Sequence, residues 1–261
     1  MHNKKNILSF LVFVALAFAG CFRNNDDVRP ANTNLTFVNV VPGKSFTINV
    51  NGSGLVSSST PLDYGQATQK ASGAPGLYDI QITPTTATSA WINGTISLQS
   101  GAYSSMYLIP DSASRTSFTS TSVYYTIINN IAPVLPDTSV LKYANIRFFH
   151  FSPDTLPINV NFVRLIGGIP SILSQDTLHI FQNRSFNDQS VNSAFSTFST
   201  IPATNQYYKV IFSNASIYPS PVLYSIPQVH FADNQAYTMY ITGYRGATGI
   251  NALQTINFPT Q

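Results

Sequence analysis

The chain has 261 residues, with 13 Lys and Arg against 10 acidic residues, all of them Asp, so only 9% of it is charged. No basic run or stripe occurs, which argues against a nucleic-acid binder, and Ser, Thr, Asn and Gln supply the polar surface instead. With 14 Tyr and 18 Phe in that setting, the composition favours strands over helices.

Lys4 and Lys5 precede a stretch from Ile7 to Phe18 that is apolar apart from Ser9. A charged start, a short apolar run and the small pair Ala19-Gly20 describe an export signal over residues 1–20. The run is too short to span a membrane, which takes about 20 residues. Cys21 is the only cysteine and has no disulfide partner in the chain. Phe18-Ala19-Gly20-Cys21 resembles a bacterial lipobox, with Phe18 where that pattern usually has Leu. The resemblance implies cleavage before Cys21, a diacylglyceryl group on its sulfur and a further acyl chain on its amine. Two or more chains, palmitate among them, hold a protein stably to a membrane. The residue after Cys21 is Phe22 rather than Asp, which by the same resemblance favours the outer membrane over the inner. Asp26-Asp27 resembles an acidic cue for display on the outer face. Residues 21–32 form the lipidated tether, and from residue 23 they hold almost nothing to bury.

Beyond the tether the apolar period is two. Phe46, Ile48 and Val50 alternate with Thr47, Asn49 and Asn51, and Tyr78, Ile80 and Ile82 with Asp79, Gln81 and Thr83. Each set is a strand with one buried and one wet face. Further strands are predicted at 91–99, 103–109 and 122–129. Residues 132–140, with Pro133 and Pro136 and no periodicity, read as a linker. Strands resume with Ala144, Ile146 and Phe148, and are predicted again at 222–231, 236–242 and 253–258. Pro42-Gly43 and Ser152-Pro153-Asp154 supply turns after the first strand on each side of the linker.

The two sides repeat one another. Ile48-Asn49-Val50-Asn51 recurs as Ile158-Asn159-Val160-Asn161, and Phe37 to Pro42 matches Phe148 to Pro153 in pattern. Leu77 to Ile82 answers to Tyr207 to Phe212, and Ala102 to Tyr107 to Ala236 to Tyr240, in the same order. The expectation is an all-β chain of two tandem immunoglobulin-like β-sandwiches, 33–131 and 141–261. The run Ala144 to Asp154 with its His150-Phe151-Ser152-Pro153-Asp154, then Pro157-Ile158-Asn159-Val160, resembles the opening of the domain of unknown function 4397 family. Asn159 stands where that family often has Asp, and the first copy departs further, with Asn39 for the histidine. The resemblance implies a tandem extracytoplasmic β-domain lipoprotein and brings no activity with it.

Chemistry is sparse. His150, Ser152 and Asp154 are residue types of a hydrolase triad, but neighbours on a strand point to opposite faces and a triad needs convergence. His150 is expected to face inward with Ile146 and Phe148 and to bond the backbone near the turn, with Asp154 holding that turn. His150, His179 and His230 form no ligand-spaced pair, so neither a metal nor any other cofactor is expected. Asp111-Ser112, Asp154-Thr155 and Asp176-Thr177 fit a loose O-glycosylation pattern. Tyr64, Tyr103, Tyr107, Tyr124, Tyr125, Tyr218 and Tyr244 are candidates for a solvent-facing aromatic surface. The reading is a non-catalytic binding or adhesion module in the periplasm or at the cell surface. Its expected partners are the membrane, through the lipid, and a glycan or surface protein; nucleic acid is not among them. The alternatives are an accessory subunit of an envelope assembly and, last, a hydrolase with a site between the domains.

Overall fold

The period-two segments are strands, and the computed structural model describes them within residues 31–51, 58–68, 71–111, 123–130 and 142–260. The signal, Cys21, the tether up to residue 30 and the expected linker lie outside the described residues. Among the described residues there is no α-helix, only short 3-10 turns. The first copy contains β1 (Thr33–Asn39), β2 (Phe46–Asn51), β3 (Ser58–Leu62), β4 (Ala71–Gly73), β5 (Gly76–Pro84), β6 (Ile92–Leu98), β7 (Tyr103–Pro110) and β8 (Val123–Asn129). They form two four-stranded sheets, ordered β4-β1-β7-β8 and β3-β2-β5-β6. Their inner faces share one core, in which Leu35, Phe37, Phe46, Ile48, Ile80, Ile82, Met106 and Leu108 are buried.

The second copy contains β9 (Tyr143–His150), β10 (Ile158–Ile166), β11 (Ile169–Pro170), β12 (Thr177–Arg184), β13 (Ser199–Pro202), β14 (Tyr207–Asn214), β15 (Val222–His230), β16 (Ala236–Thr242) and β17 (Gln254–Thr260). Its sheets run β13-β9-β16-β17 and β11-β10-β14-β15, with β12 also paired to β10. The order repeats that of the first copy, and in both the first strand lies inside its sheet, parallel to the penultimate one. The all-β sandwich architecture expected from the sequence is therefore present.

The pairing also corrects the repeat. Tyr78 and Tyr208 are equivalent, because each sends its hydroxyl back to a carbonyl before its strand, Ala74 and Pro202 respectively. That makes Ile82 equivalent to Phe212. Their partners across the ladder are Ile48 and Val160. The identical Ile-Asn-Val-Asn runs are thus two residues out of structural register. A slip of two keeps every side chain on its own face, so the pattern alone could not show it.

A third apolar cluster joins the copies. Val38, Val40, Tyr107, Ile109 and Ile128 of the first pack against Phe149, Phe151 and Tyr240 of the second. Tyr107 lies 5.6 Å from Phe149, 5.3 Å from Phe151 and 6.1 Å from Tyr240 between ring centres. Val38 and Phe149 are equivalent positions, as are Tyr107 and Tyr240. Like positions meet, as in a two-fold dimer made within one chain. Thr242 adds a hydrogen bond of 2.7 Å to the Val40 carbonyl.

Arg147 is fully buried beside this cluster. Its Nε donates to Thr238 Oγ1 at 2.8 Å, one terminal nitrogen donates to the Asn129 carbonyl at 2.7 Å, and the other to Asn130 Oδ1. Its guanidinium also lies 5.1 Å from the Phe149 ring centre and 4.6 Å from that of Phe198. Burial pulls the Arg147 pKa down, and the nearby Tyr107 hydroxyl opposes that shift.

Candidate functional site

His150, Ser152 and Asp154 come together, but as a clasp for the loop between β9 and β10. His150 Nδ1 accepts from the Ser152 N–H at 3.3 Å, which places its proton on Nε2, 2.8 Å from Thr155 Oγ1. The Ser152 hydroxyl is buried and donates at 2.8 Å to the carbonyl of Gly243. Gly243 has φ +95°, and a Cβ there would fall 2.1 Å from the Ala252 carbonyl oxygen, so the chain can pass this closely only as glycine. Asp154 accepts from Ser152 Oγ at 3.2 Å and from the Arg245 N–H at 2.8 Å. Burial raises its pKa, and those hydrogen bonds work against the shift. Serine and histidine side chains are not aimed at each other, so the triad arrangement is not made. Thr155, one of the O-glycosylation candidates, is buried with its hydroxyl engaged by His150 and by the Ser152 carbonyl.

Asn39 plays the His150 part in the first copy. Its Oδ1 accepts from the Val41 N–H at 2.9 Å, and its Nδ2 donates to the carbonyls of Lys44 and Leu62. Replacing His150 by alanine is therefore expected to cost about 1–3 kcal/mol by stranding buried polar groups, whereas His150→Asn should retain much of that stability. Urea unfolding of the two variants measures the difference. Equal losses would remove the parallel between the copies.

The tyrosines divide. Tyr103, Tyr124, Tyr125 and Tyr218 are exposed, as expected, but Tyr107 and Tyr244 are buried and the Tyr64 hydroxyl is enclosed. The reason for Tyr107 is the second copy: it covers a sheet face that would be wet in a lone sandwich. The exposed four do not form one surface in the pairing. Tyr103 begins β7, Tyr124 and Tyr125 sit on the edge strand β8, and Tyr218 lies in the loop between β14 and β15. Among the described residues no group of three His, Cys, Asp or Glu is placed to hold a metal, and no helix is long and apolar enough to cross a membrane.

A different surface gathers polar groups. On the solvent face of β2, β5 and β6 a depression of about 270 Å³ is lined by Asn49, Asn51, Asp79, Gln81, Asn93 and Thr95, with Ile80 and Gly94 between them. Asn49 pairs with Gln81 and Gln81 with Asn93, while Asn51 pairs with Asp79 and Asp79 with Thr95. Six exposed polar side chains therefore stand in two rows of three across three strands. Thr95 donates to Asp79 Oδ1 at 2.8 Å. Strand alternation identified Asn49, Asn51, Asp79 and Gln81 as wet positions one strand at a time. Nothing in it showed which of them align across strands.

In the second copy the same positions carry other chemistry. Through the register fixed above, Asn51 answers to Val163, Asp79 to Lys209, Gln81 to Ile211 and Asn93 to Ser225. Asn161, the counterpart of Asn49, is engaged: its Oδ1 lies 2.7 Å from His179 Nδ1 and accepts from Gln182 Nε2 at 3.1 Å. The double row belongs to the first copy.

Fold and surface together define a two-sandwich β-protein with a polar trough on one outer face. No family model matches the chain, and no curated protein does. Among solved structures, a family 41 carbohydrate-binding module from streptococcal virulence factors, described for alpha-glucan recognition, aligns over 82% of this chain and 94% of its own, at 11% identity and a TM-score of 0.25. A protein from Bacteroides eggerthii DSM 20697, provisionally assigned to cell adhesion, aligns over 91% of this chain and 98% of its own, at 9% identity and a TM-score of 0.25.

Proposed function

We propose that this chain is an extracytoplasmic, lipid-anchored, non-catalytic binding module that recognises a neutral glycan through the trough on β2, β5 and β6. The observation that carries the reading is the double row of amides, hydroxyl and carboxylate on a rigid sheet. A sugar hydroxyl both donates and accepts, and a primary amide answers both needs with one planar group. Asp79, the one charged group in the lining, accepts hydroxyl protons and repels phosphate, which disfavours nucleic acid and other polyanions. Small, exact differences in hydroxyl placement are read best by groups held on strands rather than on loops.

The test is a glycan array probed with the full chain carrying Cys21→Ser, which removes the lipid and leaves both sandwiches untouched. Binding to uncharged glycans is expected; silence across the array sinks the proposal. The anchor is a separate part of it, resting on the resemblance at Phe18, Ala19, Gly20 and Cys21, as membership of the domain of unknown function 4397 family rests on the resemblance around His150. Cells fed labelled palmitate should label the wild-type chain and leave Cys21→Ser unlabelled. Equal labelling of both would place the lipid elsewhere or nowhere.

A further inference from the structure

We infer, on the basis of that glycan reading, that the ligand is a flat, extended, equatorially linked chain laid across the strands, one sugar unit per strand, and not a helical α-linked glucan. Adjacent strands of a sheet lie ~4.8 Å apart, close to the rise per unit of an extended pyranose chain with equatorial links. Each row of three side chains therefore repeats at the period of such a ligand.

The rows are two residues apart along each strand, ~6.8 Å, and the residues between them are Val50, Ile80 and Gly94. Val50 and Ile80 turn into the core, and Gly94 has no side chain. The floor of the trough is thus bare backbone, with polar walls on both sides. A ribbon-like chain laid over it rests across both rows, with Asn49, Gln81 and Asn93 under one edge and Asn51, Asp79 and Thr95 under the other. No aromatic ring lines the trough, so recognition runs through the hydroxyls at the ribbon's edges rather than by stacking on its face. A helical chain curves away from a flat floor and keeps contact with one strand at a time.

Titration calorimetry with oligosaccharide ladders of one to six units tests this. The flat ladders are cello-, xylo- and chito-oligosaccharides, and the helical one is malto-oligosaccharides. At least one flat ladder should gain affinity with each unit up to three and then level off, and at three units bind about tenfold or more tighter than maltotriose. Asn93→Ala combined with Thr95→Ala removes one strand's contribution and should move the plateau to two units. Malto-oligosaccharides binding as well as every flat ladder, or a single sugar binding as tightly as its trimer, would overturn the inference while leaving the glycan reading intact. If neither the ladders nor the array shows binding, the glycan reading falls with it. A plateau unmoved by the double substitution would place the ligand elsewhere on the chain.

Discussion

Replacing Arg147 with alanine is expected to lower folding stability by about 3–5 kcal/mol, because it removes both a large buried side chain and a charged hydrogen-bond donor. The guanidinium is fully buried and satisfies the Asn129 carbonyl, the Asn130 side chain and the Thr238 hydroxyl. Truncation takes the charged donor away from all three at once, and a hydrogen bond to a charged group contributes about 1.5–3 kcal/mol. It also removes the aliphatic stem and the ring contacts with Phe149 and Phe198. Arg147→Met separates these parts, because it keeps most of the stem and loses every donor; a loss of about 2–3 kcal/mol is expected. Urea unfolding followed by far-UV circular dichroism measures both variants. A loss below about 1 kcal/mol for the alanine variant would show that water satisfies the abandoned groups.

The second large effect concerns binding. Asp79→Ala should weaken the proposed glycan interaction about 10- to 100-fold, since a hydrogen bond to a charged group contributes about 1.5–3 kcal/mol. Asp79 stands at the centre of its row, between Asn51 and Thr95, and is exposed, so the fold should tolerate the change. Ser225→Ala, at the position in the second copy that answers to Asn93, should leave affinity unchanged. Calorimetry on the pair reads the difference. Equal affinity for Asp79→Ala and the parent chain would remove the trough from the binding site.

Much of the architecture was legible because one physical signal, the alternation of buried and wet side chains, is local. Phe46-Thr47-Ile48-Asn49-Val50-Asn51 announces a strand by itself, and its burial alternates accordingly. Strands without that signal were not found. Ser58–Leu62 and Ser199–Pro202 are dominated by Ser, Thr and Pro and lie at sheet edges, where one side of the ladder makes few demands on sequence. The duplicated Ile-Asn-Val-Asn misled by two residues, because a period-two pattern fixes face but not register.

The candidate site was half visible. Each polar residue could be assigned to the wet side of its strand, but the site exists only once three strands are laid side by side. Tyr107 shows the opposite limit. Its position on an outer face is readable, yet its burial depends on Phe149, Phe151 and Tyr240 of the other copy, which pack against it.

The placement of β1 has a mechanical consequence. This strand is flanked by antiparallel β4 and by parallel β7, with which it pairs continuously from Asn34 to Asn39. Tension applied to the chain ahead of Thr33 and directed along the strand loads every rung of that ladder together, in shear, instead of peeling rungs off singly. Rupture under such a load is governed by the unfolding barrier rather than by equilibrium stability. β9 stands in the same relation to β16. Load carried along the chain would meet a clamp at the first strand, with a second clamp of the same design at β9.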